Sequence, residues 1–544
     1  MPAVTASPKS RWTSLIGTGL GLKLSRRIRL LGDSEYWTRH TAILQRRQLR
    51  TLLTSASHTE FGRRHGFASI AARADADIVA AYRDALPVAD WYAFKDQIAR
   101  MREQGEGDVL WPGIVRDFAQ TSGTTAGDKY IPVSREMLRS NYRASLDIFA
   151  HLSRFGVKLP TLFGGHCLFL GGSTSVEVNE HGIRTGDLSG LVTHLIRWPL
   201  DRVYSPGKAI ALMNHWPSKI DAMAKACFEQ DIRMISGMPS WALVLFERVL
   251  GLARERGVSA RTIQEIWPNL QVFVHGGVKY APFDSRVRTF WSGDSGGADI
   301  PSRLELYPAS EGFIAMQDTR GDPGLRLLTD NDVFFEFVPL EEIDNASAPA
   351  FTCEMVEKGQ RYVVVLSTCA GLWRYVLGDV VEFDTIPARL DGRGGEGPCR
   401  LRIVGRHRHF INAFGENLIV EHIENAVATA AKETGVVVGE FTAGPVYPGE
   451  GRRAGLELVI EVKPLDGLAA RFGEAFDAAL KDQNVDYTTK RTDSLGMAAP
   501  TITPVPIGAF HDWMRRRGKL GGQHKCPRCA NHREYVEGVL RVNI

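Results

Sequence analysis

Between residues 160 and 340, short apolar runs alternate with stretches of helical period, and that alternation constrains the fold more than any other feature of the chain. Leu168–Leu170, Met234–Ile235 and Val272–Val274 read as strands separated by helices, which is the pattern of an α/β sheet. Val333–Val338, Arg361–Thr368 and Val380–Phe383 read as further strands. Upstream, residues 34–104 read mainly as helices, with Tyr36, Ile43, Leu49 and Leu52 recurring among Arg, Gln and His. Arg135–Phe155 reads as one helix, with Ser134 as N-cap and Leu138, Tyr142, Leu146, Phe149 and Leu152 on one stripe. At 544 residues the chain outgrows a single core, so two or more units are expected. The Gly-, Pro- and charge-rich segment Ile386–Pro398 marks the best boundary. Beyond it Leu401–Val404, a helix over Glu421–Lys432, a strand over Leu456–Val462 and a helix over Gly467–Leu480 read as a smaller α+β unit. The expected fold is therefore α/β, a large N-terminal domain of mixed sheets flanked by helices and a smaller, mobile α+β domain. The expected bounds are a flexible or amphipathic lead-in over 1–33, the large domain over 34–404, the small one over 405–544, and a hinge near 404–410.

Composition excludes several function classes. A formal charge of +4 with no basic stripe offers no footprint for nucleic acid. No window reaches the roughly 20 apolar residues of a membrane helix. The nearest, Leu159–Gly172, is short and holds Gly164, Gly165 and His166. The seven cysteines, at 167, 227, 353, 369, 399, 526 and 529, are an odd and sparse set with no clear signal peptide. They read as reduced thiols in a cytosol. There is no GxSxG for a Ser hydrolase and no convincing GxGxxG dinucleotide unit.

The chemistry starts at Thr121-Ser-Gly-Thr-Thr-Ala-Gly-Asp-Lys129, inside the hydroxyl- and glycine-rich stretch that runs to Ser134. Glycines let backbone N–H groups approach phosphate oxygens, hydroxyls donate hydrogen bonds, and Lys129 supplies charge. The spacing is not that of a Walker loop. Alone, such a stretch is as consistent with an ordinary turn as with a phosphate cradle. Other motifs follow in order: Leu306-Tyr-Pro-Ala-Ser-Glu-Gly312, Trp373-Arg-Tyr-Val-Leu-Gly-Asp379, Gly405-Arg-His-Arg-His-Phe-Ile411 and Gly522-Gln-His-Lys-Cys-Pro-Arg528. Earlier lie Glu60-Phe-Gly-Arg-Arg-His-Gly66 and Leu110-Trp-Pro-Gly113.

With these motifs the chain resembles the Gretchen Hagen acyl-acid amido synthetases, the plant auxin-responsive family with bacterial relatives. That family sits in the adenylate-forming superfamily of acyl-CoA synthetases, peptide-synthetase adenylation domains and luciferases. The resemblance implies ATP and Mg²⁺ as cofactors, with Ser122, Gly123, Thr124, Thr125, Gly127 and Lys129 over the β- and γ-phosphates. It implies Tyr307 packed on adenine, Ser310 beside it, Glu311 holding Mg²⁺, and Asp379 taking the ribose hydroxyls. A carboxylate suits that task because it accepts two hydrogen bonds at once. Arg406 resembles the hinge arginine near ribose and phosphate. Gly276 and Gly277 match the lining of the acyl-adenylate pocket, and Lys525 the mobile lysine that reaches the α-phosphate, where a compact cation stabilises developing charge. Two departures stand out. Asp128 lies where a cation is common, and Pro308 stands where plant members have small residues, which bears on the placement of Tyr307.

The implied reaction joins a carboxylic acid to an amine, an amino acid being the expected acceptor, through an acyl-adenylate. Two alternatives remain at this stage: an acyl-CoA ligase using coenzyme A, and a nucleotide-binding regulatory protein without turnover. Phe163, Trp198, Met238 and Trp241 are candidates for an apolar acyl pocket, or equally for core. Trp373, Tyr375, His407 and His409 read as packing, surface or hinge residues. Cys526 and Cys529 with flanking histidines have the ligand types of a zinc knuckle, although the family reading explains that stretch without metal.

Overall fold

A computed structural model describes residues 8–542 apart from 122–128, 172–175, 195–199, 214, 278–279, 346, 408–409, 413, 415, 417, 437, 449–451, 463–466, 493–495 and 518–525. Its centre is an 11-stranded sheet. From one edge the order runs Val333–Pro339, Tyr362–Thr368, Tyr375–Thr385, Arg400–Arg406, Leu325–Leu327, Gly312–Gln317 and Ser302–Ala309, all antiparallel. It continues in parallel through Val272–Gly276, Ile232–Ser236, His166–Phe169 and Tyr204–Ser205. Ser302–Ala309 is thus the strand at which pairing changes direction. The parallel strands read as apolar runs because helices such as Trp216–Cys227, Pro239–Glu255 and Asp284–Ser292 pack over them. At the opposite edge the helix Ser34–Ala56 covers Val333–Pro339. There the Gln45 side chain accepts from the Phe335 N–H at 2.8 Å and donates to the carbonyls of Thr329 and Val333, so that edge is satisfied from within the chain.

A second sheet of four strands contains the hairpin Asp117–Thr121 and Lys129–Val133, with Thr121 paired to Lys129. The smaller unit has a three-stranded sheet, Val438–Val446, Gly455–Val462 and Thr501–Val505, packed against the helices Val420–Thr434 and Ala469–Gln483. Ile423, Leu458, Ile460, Phe472 and Phe476 form its core. Ahead of the large domain, Pro8–Gly32 is a 25-residue helix, and Ile16 and Leu20 pack against Leu159, Leu162 and Phe163 of the large unit's core. No helix among the described residues is long and apolar enough to cross a membrane.

Two local readings change and one open reading closes. The helix Arg135–Arg154 is capped by Ser134, whose hydroxyl accepts from the Met137 N–H at 2.9 Å, but its buried face is Met137, Ser140, Ala144, Asp147 and Ala150 to Leu152. Tyr142 is 50% exposed. The buried face is rotated because Asp147 and His151 are charge-paired or enclosed beneath Arg27 and Arg326, polar positions that apolar periodicity does not register. Phe163, open between acyl pocket and core in the sequence, belongs to a core cluster with Leu162 and Cys167, among Met234, Val272 and Val274 of the parallel strands and Phe149 of the helix Arg135–Arg154. Leu401–Val404 lies in the strand Arg400–Arg406, which hydrogen-bonds into the large sheet and not into the smaller unit.

Candidate active site

The ends of the parallel strands open into a cleft of about 1320 Å³ bounded by both units. Carboxyl ends of such strands are where α/β sheets form ligand crevices. Close packing shapes this rim. A side chain at Gly276 would place its Cβ 2.4 Å from the Leu306 carbonyl oxygen on the next strand. Gly277 has φ +83°, and its Cβ would lie 3.1 Å from the Met238 sulfur. Of these two, Gly277 lines the cleft.

Asp379 lies on Tyr375–Thr385, directly opposite Arg406 of the neighbouring strand. The Arg406 Nε donates to one Asp379 carboxylate oxygen at 2.6 Å, and the Tyr307 hydroxyl donates to the other at 2.6 Å. Asp379 is 8% exposed, whereas the Arg406 side chain is 39% exposed, so the arginine faces the cleft while its partner is held still. Gly378 permits the bend before Asp379 at φ +93°, where a Cβ would meet the His407 ring at 3.1 Å. His407 in turn donates its backbone N–H to the Gly378 carbonyl at 3.0 Å. Tyr307 is 4% exposed and keeps its pairing with Ala315, while Pro308 turns outward opposite Phe313. Burial, then the Asp379 charge, hold the Tyr307 hydroxyl well above its ordinary pKa, so it stays a donor.

Glu311 occupies the two-residue turn between Ser302–Ala309 and Gly312–Gln317, with Ser310 before it on the cleft wall. Burial raises its carboxyl above the ordinary range, against the pull of the Tyr375 hydroxyl, Arg406 and Lys129. Lys129 lines the same cleft from the hairpin. A half-buried carboxylate whose ionised form is disfavoured by burial gains from a neighbouring cation, so Glu311 fits Mg²⁺. Asp379 also fits a ribose: two of its roughly four lone-pair positions are taken and the rest remain for hydroxyl donors.

Lys129, Gly277, Tyr307, Ser310, Glu311, Asp379 and Arg406 therefore meet on one cleft. Ser122, Gly123, Thr124, Thr125, Gly127, Asp128, Trp198, His409 and Lys525 lie outside the described residues. Met238 and Trp241 do line the cleft. The sequence reading missed Tyr375 as a site residue. Its hydroxyl bonds Glu311, and strand alternation was the available signal, because Tyr375, Leu377 and Asp379 share a face and all line the cleft. Trp373 is packed against Phe67 and Trp111 as expected of a core residue. The two close cysteines divide between clusters, Cys529 with Phe441 and Leu458 and Cys526 with Trp513 and Val536. Burial pushes both thiols up to about 12. All seven cysteines are buried free thiols.

The GH3 family N-terminal domain matches residues 30–198 and 179–295, the GH3 family central domain residues 326–389, and the GH3 family C-terminal domain residues 421–534. The probable indole-3-acetic acid-amido synthetase GH3.1 of Arabidopsis thaliana is 23% identical over 573 residues, covering 92% of this chain and 91% of that protein. The indole-3-acetic acid-amido synthetase GH3.3 of the same plant is 22% identical over 585 residues, covering 94% and 93%. Among solved structures, the GH3.15 acyl acid amido synthetase superposes with a TM-score of 0.55 at 16% identity, covering 93% of this chain and 94% of that one. Matched through its N-terminal, central and C-terminal parts, the chain belongs to the GH3 family.

Proposed function

We propose that this protein is an acyl-acid amido synthetase: it adenylates a carboxylic acid with Mg·ATP and transfers the acyl group to an amine, an amino acid being the acceptor. The observation that carries the reading is Asp379, fixed between Tyr307 and Arg406, on the same cleft as Glu311 and Lys129. In the first step a carboxylate oxygen bonds the α-phosphorus and pyrophosphate leaves. In the second the amine nitrogen bonds the acyl carbon, AMP leaves, and the nitrogen loses a proton. Catalysis of the first step is chiefly positioning and charge stabilisation. Asp379 orients the ribose, Tyr307 packs against adenine, and Arg406 with Lys129 faces phosphate. Glu311 would hold Mg²⁺, which supplies charge neutralisation on the triphosphate. Ser122, Gly123, Thr124, Thr125 and Gly127 complete the phosphate loop, and Lys525 supplies the mobile cation. Gly276 and Gly277 shape the acyl site beside Met238.

Pyrophosphate–ATP exchange across a panel of carboxylic acids tests the first step. Acid-dependent exchange is expected, and folded protein that exchanges with no acid would refute adenylation. Product masses with amino acids and with coenzyme A offered together test the second step, with an amide expected and a thioester contradicting it.

A further inference from the structure

One wall of the cleft has no part in the adenylation chemistry. Lys490, on the helix Val485–Arg491 of the smaller unit, is 2% exposed, yet it lines the cleft. Its Nζ lies 4.8 Å from the ring centre of Trp216 and 4.5 Å from that of Trp241. Those rings stand 5.1 Å apart at 58°, and both come from the large unit. Among the described residues the Lys490 ammonium has these two rings and no hydrogen-bond acceptor or ion-pair partner. Lys219, the other buried lysine nearby, is different: its Nζ donates to the Ala211 carbonyl at 2.7 Å.

An ammonium has three donors and is strongly hydrated. Ring faces offset part of its desolvation but accept no directed hydrogen bond. Burial accordingly pushes Lys490 below the ordinary lysine range, against the pull of Asp486, Asp187 and Glu416. An anionic group entering the cleft would meet a cation already stripped of water, beside the Trp241 ring on the cleft wall. The reacting carboxylate of the acyl acid must face the nucleotide groups, which stand on the large sheet. Lys490 stands on the smaller unit, so it is suited to a second carboxylate.

We propose that Lys490 binds a substrate carboxylate, namely the α-carboxylate of the acceptor amino acid, with Trp241 lining that subsite and the buried Trp216 packed against the lysine. This rests on the amide-forming reading above. A second carboxylate on the acyl acid has the same chemistry, and the test separates the two sources.

The test compares amino acids with their carboxamides as acceptors, and monocarboxylic with dicarboxylic acids in pyrophosphate exchange, for wild type, Lys490→Met and Lys490→Arg. Wild type is expected to favour the free amino acid over its carboxamide by about tenfold or more in kcat/KM, the scale of one charge-assisted hydrogen bond. In Lys490→Met that preference should vanish while monocarboxylate exchange stays within about twofold, and Lys490→Arg should keep it. If the preference lies instead with dicarboxylic acids during exchange and is lost in Lys490→Met, the carboxylate belongs to the acyl acid. Wild type with neither preference overturns the proposal without any variant. Equal loss of exchange and transfer in Lys490→Met, with a lowered Tm, also overturns it, because the lysine then serves only to hold the units together. Exchange by wild type tests adenylation separately, so the two readings fail in different assays.

Discussion

Asp379 accepts from two donors at once, so removing its charge probes both contacts. Asp379→Asn should lower kcat/KM for ATP about 10- to 100-fold in the exchange assay, the range for hydrogen bonds to charged groups, and should lower Tm modestly because the amide leaves one of the two donors without an acceptor. Unchanged ATP kinetics would place the ribose elsewhere. Lys525→Ala should depress exchange strongly yet spare amide formation from a preformed acyl-adenylate, an asymmetry that a purely structural lysine would not produce. Glu305 gives a prediction in pH. Burial pushes its carboxyl up to about 7, above an unfolded value of about 4.3. The folded state therefore keeps a proton that the unfolded chain releases between those values. Its contribution to stability is present below the unfolded pKa and is lost as pH rises to about 7. Glu305→Gln should thus gain in Tm relative to wild type between about pH 5 and about pH 8. A constant difference across that window would contradict the raised pKa.

At the scale of elements, the strand Ser302–Ala309 is the joint of the site: it carries Tyr307, leads into Glu311 and changes the sheet from parallel to antiparallel. Its approach to Val272–Gly276 depends on the missing side chain at Gly276. Gly276→Ala must push two backbones apart and should destabilise by roughly 1–3 kcal/mol or more, lowering Tm and displacing Tyr307. Gly405→Ala is the control, because its Cβ would meet nothing within 4 Å. Equal thermal shifts in the two variants would argue against close strand packing as the cause. Much of this layer was legible beforehand. The runs at 234–235, 272–274 and 333–338 became strands, and the capped helix after Ser134 formed where its hydroxyl indicated. The buried face of that helix was not legible, because Asp147 and His151 are enclosed by partners far away in sequence.

At the scale of the molecule, the two units touch through reciprocal aromatic contacts. Trp241 of the large unit donates its Nε1–H to the Phe414 carbonyl at 3.2 Å, and Tyr447 of the smaller unit packs edge-on against Phe283 at 6.2 Å. Tyr447 tests this contact without touching Lys490. Tyr447→Ala should separate the thermal transitions of the two units in scanning calorimetry and speed limited proteolysis between them. A single unshifted transition would show that the ring contributes nothing to their association.

The ordered motifs carried the family resemblance that singled out Tyr307, Glu311, Asp379 and Arg406, and these four line one cleft. Only the tertiary structure decided how Asp379 spends its oxygens, that Tyr375 bonds Glu311, that Phe163 is core, and that Arg400–Arg406 completes the large sheet. Lys490 between two tryptophans belongs to the same class. The physical reason is common to all of these. Local patterns encode period and turn chemistry over a few residues, whereas burial, ion pairing and unmet hydrogen-bond donors arise from groups that the chain brings together from tens to hundreds of positions apart.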